Sequence, residues 1–202
     1  MKRFILLSCL FVLACKQDKK FISSFEHEVR SHQEALNKQF KNEIDSPLTE
    51  EDFKSFQALE FYPADESFKV RAKLTFHPDS KPFPMKTTTS RLPIYRHYAT
   101  ASFELQGKSY QLELYQNQQL LTDPTFREQL FLPFTDLSNG NGSYGGGRYI
   151  DLEIPEGDEI VIDFNQSYNP YCAYNKKYSC PVPPEVNHMD VAIVAGIKAY
   201  SK

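Results

Sequence analysis

The stretch Phe68-Lys69-Val70-Arg71-Ala72-Lys73-Leu74-Thr75-Phe76 decides the fold class of this chain. Apolar residues occupy every second position of this stretch, and lysine, arginine or threonine occupies each position between them. Successive side chains of a β-strand point to opposite faces of the sheet, so this period of two predicts a strand with one buried and one solvated face. Strands of that kind are typical of antiparallel sheets.

Further segments with strand character follow this one along the chain. They are separated by turn sequences, and they comprise residues 86–92, 102–105, 110–115, 130–134, 149–154, 159–165 and 191–194. Gln106-Gly107-Lys108-Ser109 and Pro155-Glu156-Gly157-Asp158 predict hairpin turns between consecutive strands. Short strands without helices between them predict a mainly β (α+β) domain, either an antiparallel β-sandwich or an open barrel.

A helical pattern precedes the strands. The capping box Ser23-x-x-Glu26 and apolar residues at helical spacing over residues 25–40 predict a helix that ends near residue 42. Thr49-x-x-Asp52 starts a second, shorter helix. We expect the first helix to pack on an open face or end of the sheet.

The first fifteen residues point to a cellular location. Lys2 and Arg3 precede an apolar stretch over residues 4–14, and Val12-Leu13-Ala14-Cys15 resembles the cleavage box of a bacterial lipoprotein signal. The apolar stretch is too short to span a bilayer, which needs about 20 residues. We therefore expect a signal peptide over residues 1–14, a tether lipidated at Cys15 over residues 15–24, and a single β-rich domain over residues 25–202.

A lipidated Cys15 makes the membrane an expected partner of this chain. A bacterial lipoprotein cysteine carries more than one acyl chain, and several chains anchor a protein stably. The expected location is therefore the bacterial cell envelope. Lys16, directly after the lipidated residue, favours the outer membrane.

Charge and residue spacing argue against nucleic-acid, metal and cofactor binding. The formal net charge is −3 and no basic cluster occurs, so we expect no nucleic-acid partner. The spacing of the histidines and cysteines matches no structural zinc site, and we expect no metal. Gly140-x-Gly142-x-x-Gly145 has the spacing of a dinucleotide-binding motif, but a predicted strand follows where that motif requires a helix. We therefore expect no cofactor.

The segment from Tyr144 to Asn187 differs in composition from the rest of the chain. The chain here contains in order Ser143-Tyr144-Gly145-Gly146-Gly147-Arg148-Tyr149-Ile150-Asp151-Leu152, Val161-Ile162-Asp163-Phe164-Asn165, Tyr168-Asn169-Pro170-Tyr171-Cys172-Ala173-Tyr174-Asn175 and Cys180-Pro181-Val182-Pro183-Pro184. This series resembles the bacterial family catalogued as domain of unknown function 1684. Phe131-x-Pro133-Phe134-x-Asp136 and Ala195-Gly196 are also similar to that family.

The resemblance covers most of the chain and implies a single exported or lipid-anchored domain without an assigned activity. The chain departs from the family pattern at two places. Ile197 stands where the pattern has a glutamate, and Gly142-Ser143 stands where it has Glu-Thr. If those carboxylates serve a reaction in the family, this chain lacks them.

The same segment supplies the candidate ligand-binding residues. Its asparagines offer amide donors and acceptors and its tyrosines offer flat amphipathic rings, a mixture that suits a polar, ring-shaped ligand such as a sugar. The candidates are Tyr144, Gly146, Arg148, Tyr149, Asp163, Asn165, Tyr168, Asn169, Tyr171 and Asn187. We predict a binding or structural module for a polar ligand, a glycan or an envelope protein, since long loops without secondary structure are uncommon unless they are functional.

Each of these candidates also has a structural interpretation. The asparagines can satisfy the backbone groups of an ordered loop. Three consecutive glycines suit a tight bend as well as a ligand. Arg148 can form an ion pair with Asp163 or Asp151 that locks the sheet, and a buried arginine usually requires such a partner.

Cys172 and Cys180 are the thiols that remain once Cys9 is removed with the signal and Cys15 is lipidated. An oxidising envelope favours a disulfide between them. The alternative is a hydrolase-like enzyme with Cys172 as nucleophile and His188 as base. That enzyme requires a convergent pocket formed by Arg148, Asp163, Asn165, Cys172 and His188.

Overall fold

The computed structural model describes residues 23–201, so the predicted signal peptide, Cys15 and the tether up to residue 22 lie outside the described range. An eight-stranded sheet curls into a half-barrel. Its strands are β1 (Lys69–Phe76), β2 (Phe83–Pro84), β3 (Ile94–Leu105), β4 (Lys108–Asn117), β5 (Gln129–Asp136), β6 (Arg148–Glu153), β7 (Glu159–Asp163) and β8 (His188–Met189).

The sheet order is β6-β5-β4-β3-β1-β7, with β2 beside β3 and β8 beside β5. Neighbours in the main order are antiparallel, and the short β5–β8 pair is parallel. The structure thus confirms the mainly β fold. Of the two predicted architectures it has the open barrel, because one curled sheet takes the place of two stacked ones.

The main hydrophobic core lies on one face of the sheet, and the alternating pattern of β1 places its apolar side chains on that face. Val70, Ala72 and Leu74 are buried, whereas Arg71 and Lys73 are exposed. The same face of the neighbouring strands supplies large apolar side chains to the same cluster, among them Phe103, Leu112, Leu114, Leu130, Leu132, Phe134, Ile150 and Ile162. Burial on this face therefore sets the register of the long strands.

Two helices precede the sheet in the chain. The first, α1 (Ser24–Phe40), begins at the predicted capping box: the Glu26 N–H donates to Ser23 Oγ at 3.1 Å, and the Ser23 N–H donates to Glu26 Oε2 at 3.0 Å. The second, α2 (Glu50–Ser55), is capped by Thr49. Phe40 packs in a smaller apolar cluster with Tyr174 and Ile197, and α1 also contacts residues 164–166, which follow β7. The helix therefore packs on the segments after β7, which lie between it and the sheet. No helix within residues 23–201 has the length and hydropathy needed to cross a membrane.

Two predicted strands are wrong. Residues 86–92 form no strand: Thr87 makes an isolated antiparallel bridge with Pro181, and beyond it the Thr87 hydroxyl donates to the Arg91 carbonyl at 2.6 Å within a local bend. Residues 191–194 are also irregular, and the short strand β8 lies just before them.

The two predicted hairpins have different outcomes. The β3–β4 hairpin is confirmed, with its turn at Gln106 (φ 51°) and Gly107 (φ 77°) in the left-handed conformation that suits a two-residue turn. The β6–β7 hairpin is wrong, since these strands form opposite edges of the sheet order. Their connection runs from one edge of the sheet order to the other, and at its end the Asp158 carbonyl accepts a hydrogen bond from the Leu74 N–H at 2.7 Å, which continues the pairing of β1 with β7.

Candidate functional site

A cavity of about 630 Å³ lies on the face of β5 and β6 that points away from the main core. Leu130 and Leu132 face the core, so Phe131 between them must face the cavity. Asp151 of β6 is the cross-strand partner of Phe131 and lines the same cavity. Side chains from α1 and from the segment 166–181 form the opposite wall. We call this cavity the β5–β6 pocket.

A run of aromatic rings extends along the strand side of the pocket and onto Tyr168 of the segment 166–181. The ring centroids of Tyr95 and Phe131 lie 5.6 Å apart, those of Phe131 and Tyr149 lie 4.7 Å apart, and those of Tyr149 and Tyr168 lie 5.8 Å apart. Tyr168 is fixed by two backbone hydrogen bonds of 2.9 Å with Tyr149, which extend the edge of β6 by one residue pair. These spacings are typical of stable aromatic pairs.

Asp151 provides the carboxylate of the pocket. The Tyr168 hydroxyl donates to Asp151 Oδ2 at 2.7 Å. Among the described residues, no lysine, arginine or histidine nitrogen lies within 4 Å of this carboxylate. Partial desolvation by the pocket walls raises the pKa of Asp151, and the bond from Tyr168 opposes that shift. The side chain still contacts solvent in the open pocket, so a ligand can reach it.

The opposite wall carries amides and an imidazole. Gln39 of α1 donates to the Tyr171 hydroxyl at 2.6 Å, and this bond connects the helix to the tyrosine-rich segment, residues 166–181. Asn169 donates through Nδ2 to the Lys198 carbonyl at 2.9 Å, while its buried Oδ1 has no hydrogen-bond partner among residues 23–201. His32 Nε2 is also buried without such a partner in the described part of the chain, and burial lowers the pKa of His32.

The structure places four of the ten predicted ligand-binding residues on the pocket wall. These are Tyr149, Tyr168, Asn169 and Tyr171. Sequence reasoning considered Asp151 only as an ion-pair partner and missed Phe131. A large aromatic residue at an outward position of a predicted strand is the signal that could have found Phe131, because outward positions are usually polar.

Arg148 lies outside the pocket in a fully buried hydrogen-bond network. Its Nη2 donates to Asp136 Oδ2 at 2.9 Å and to the Ile193 carbonyl at 2.8 Å, and its Nη1 donates to the Ala195 carbonyl at 2.6 Å. Both side chains of the Arg148–Asp136 ion pair are 0% exposed. Arg148 thus forms a buried structural ion pair, as one of the two interpretations predicted. Its partner is Asp136, so the predicted partners Asp163 and Asp151 are wrong.

Three further candidates hold backbone segments together. Asp163 Oδ1 accepts hydrogen bonds from the Asn165 N–H at 2.9 Å and from Asn165 Nδ2 at 2.8 Å. Asn165 also exchanges two bonds of 2.9 Å with the Asp65 backbone. Asn187 bonds both backbone groups of Glu113. All three candidates are buried and none lines the β5–β6 pocket.

The last two candidates lie near the cysteines. Tyr144 is half-buried, with its hydroxyl 3.9 Å from Cys172 Sγ. A side chain at Gly146 would collide with the ring of Tyr144, since a Cβ there would lie 2.5 Å from the nearest ring atom. Glycine at this position therefore permits close packing of its own loop.

The predicted disulfide is absent from the structure, in which both cysteines are free thiols. The sulfurs take part in hydrogen bonds: the Cys172 N–H donates to Cys180 Sγ at 3.2 Å. Donation from the Cys180 thiol, together with donation from Tyr144, lowers the pKa of Cys172 to about 6. The same interaction raises the pKa of Cys180, which lines the pocket.

The pocket that a hydrolase would need is not assembled. Arg148 is buried against Asp136, and Asp163 and Asn165 join a different loop. His188 is exposed, and its Nδ1 lies 2.9 Å from Thr135 Oγ1. Within residues 23–201 no group of three or more histidine, cysteine, aspartate or glutamate side chains could hold a metal ion.

Known proteins match this fold and its sequence. The family model described as a protein of unknown function (DUF1684) matches residues 54–198, which include the β5–β6 pocket strands and the tyrosine-rich segment. The chain belongs to the DUF1684 family. An uncharacterized protein of Haloarcula marismortui, whose structure was solved in solution by NMR, is similar to this chain in sequence and fold. The two chains are 35% identical with a TM-score of 0.68, over 86% of this chain and 93% of the archaeal one. No curated protein matches the chain.

Proposed function

We propose that this DUF1684 domain is a binding module that takes a small polar organic ligand into the β5–β6 pocket. The observation that carries the proposal is one cavity of about 630 Å³ that combines aromatic ring faces with a few polar groups. Small-molecule sites have this volume and composition. The unpartnered Asn169 Oδ1 adds a specific reason, because a buried acceptor without a donor is costly unless a ligand or water satisfies it.

The proposed location of the module is the bacterial cell envelope. Lys2, Arg3, the apolar stretch over residues 4–14 and Cys15 support a lipid anchor, with the outer membrane favoured by Lys16. Small glycans, cell-wall fragments and envelope proteins would then be the available partners. The pocket suits the first two, because its opening leads into a cavity of small-molecule size.

A ligand screen on the folded domain tests this function. Neutral monosaccharides, peptidoglycan fragments and small organic cations are added singly, and binding is measured by NMR chemical shifts and by thermal stabilisation. Tyr171→Ala, on the pocket wall, should weaken any hit by about tenfold or more. Tyr98→Ala is the matched control, since Tyr98 is also half-buried but lies outside the pocket.

Two results would count against the proposal. One is a panel in which no compound shifts signals of the pocket residues. The other is a hit that Tyr171→Ala and Tyr98→Ala weaken equally, since that would place the ligand elsewhere.

A further inference from the structure

The described residues that line the β5–β6 pocket include an aspartate but no lysine or arginine. Their titratable groups are Asp151, His32, Cys180 and six tyrosines. Tyrosines keep their protons at pH 7, burial lowers the pKa of His32, and the pKa of Cys180 is raised. Among the described residues that line the pocket, Asp151 is therefore the one left to present a charge at neutral pH; Arg91, outside the lining, donates to the Ser179 hydroxyl and carbonyl.

Aromatic rings surround this carboxylate. Phe131 lies directly across the β5–β6 ladder from Asp151, Tyr149 precedes it by two residues on the same face, and Tyr168 donates its hydroxyl to it. An ionised carboxylate has about four acceptor sites, and the described residues occupy one of them. Ring faces within about 6 Å attract a cation, and the attraction strengthens when water is excluded.

We propose that Asp151, Phe131, Tyr149 and Tyr168 form a subsite for the cationic end of the ligand, an ammonium group that ranges from a primary amine to a quaternary ammonium. We call this set the Asp151 subsite. The inference rests on the proposed function of the pocket and names the class of ligand. An anionic ligand would meet the carboxylate without a compensating lysine or arginine on the wall.

The rest of the pocket also favours a ligand that donates hydrogen bonds. Asn169 lines the same cavity, and its buried Oδ1 has no donor among the described residues, so an ammonium group or a hydroxyl that displaces its neighbours could donate to it. The cavity is larger than an ammonium group, so the Asp151 subsite would hold one end of the ligand. The amide-bearing wall near Asn169 and Gln39 would contact the remainder.

Isothermal calorimetry with a matched pair of probes tests the inference. Choline carries a trimethylammonium group, and 3,3-dimethylbutan-1-ol has nearly the same shape with a neutral carbon in place of nitrogen. Choline should bind the wild-type domain at least about tenfold more tightly than the alcohol. Asp151→Asn should remove that preference, while Asp190→Asn should keep it, because Asp190 is exposed and outside the pocket.

The possible results separate the inference from the proposed function. Retention of the preference in Asp151→Asn, or equal binding of choline and the alcohol, overturns the cation subsite. If neutral sugars still bind the pocket in that case, the binding module survives. If no probe binds the folded wild-type domain, both proposals fail. Thermal unfolding of each variant shows whether a lost affinity is merely lost folding.

Discussion

Replacing Arg148 with alanine should lower the free energy of unfolding by about 3 kcal/mol. Arg148 and Asp136 form an ion pair in which both side chains are 0% exposed, and removal of one partner from such a pair costs about 3–5 kcal/mol. Asp136 keeps three other donors: the N–H groups of Ser138 at 2.8 Å and Ile193 at 3.0 Å bond Oδ1, and Asn139 Nδ2 lies 3.5 Å from Oδ2. These donors partly satisfy the Asp136 carboxylate once Arg148 is removed, so we expect a loss of stability at the lower end of that range.

Urea unfolding followed by circular dichroism measures this loss. Arg148→Lys serves as a second variant, because it keeps the charge but loses the planar fork that reaches Asp136 and the Ile193 and Ala195 carbonyls at once. It should be intermediate between wild type and alanine, and it remains measurable if the alanine variant does not fold.

Arg71→Ala is the control for a surface ion pair. Arg71 bonds Glu159 at 3.2 Å with both side chains more than half exposed, and such pairs contribute only about 0–1 kcal/mol. If Arg148→Ala costs no more than Arg71→Ala, the structural role of Arg148 is refuted. A ligand-binding role for Arg148 would then have to be reconsidered.

Three further predictions concern the ligand, the thiols and the anchor. Choline affinity should fall as the pH drops through the raised pKa of Asp151, at a pH above the value of about 4 of an ordinary aspartate, because only the ionised carboxylate attracts a cation. Calorimetry across pH checks this, and a similar decline in Asp151→Asn would contradict it. The rate of Cys172 alkylation by iodoacetamide should reach half its maximum near pH 6. A midpoint near 8.5, the value of an ordinary thiol, would show that its pKa is not lowered. Cys15→Ser should abolish incorporation of a palmitate analogue and release the protein from the membrane fraction; unchanged membrane association would contradict the proposed lipid anchor.

Local patterns predicted those parts of the fold that local forces determine. The alternation in β1 and the capping box of α1 are visible in consecutive residues, and both are confirmed. Much of β3 was missed because Ala99 and Ala101 occupy its core positions, where small side chains give a weak apolar signal. A bulge between His97 and Ala99 also interrupts the period of two.

Sheet order lies beyond such patterns. The turn over residues 155–158 has the composition of a hairpin turn, yet it joins the two opposite edges of the sheet. Which strands pair depends on how the whole apolar face is buried, and no single turn contains that information. The sequence therefore predicted that β6 and β7 are strands, while their separation emerged only from the assembled sheet.

The pocket was partly predictable for the same reason. Tyr168, Asn169 and Tyr171 were found by their unusual local composition. Their neighbours Phe131 and Gln39 come from a strand and a helix far away in the chain, and only the fold brings them to the same cavity. The buried candidates Arg148 and Asn187 are residue types that often bind ligands, but Arg148 bonds Asp136 and backbone carbonyls, and Asn187 bonds backbone groups of this chain.

An NMR titration of isotope-labelled protein with choline tests the central claim most directly, because it locates the bound ligand without a mutation. We predict that the largest shifts fall on Phe131, Tyr149, Asp151 and Tyr168, while the buried side chain of Arg148 and the exposed ring of His188 stay unchanged. Shifts that cluster around Arg148 or His188, with the Asp151 subsite silent, would contradict the account.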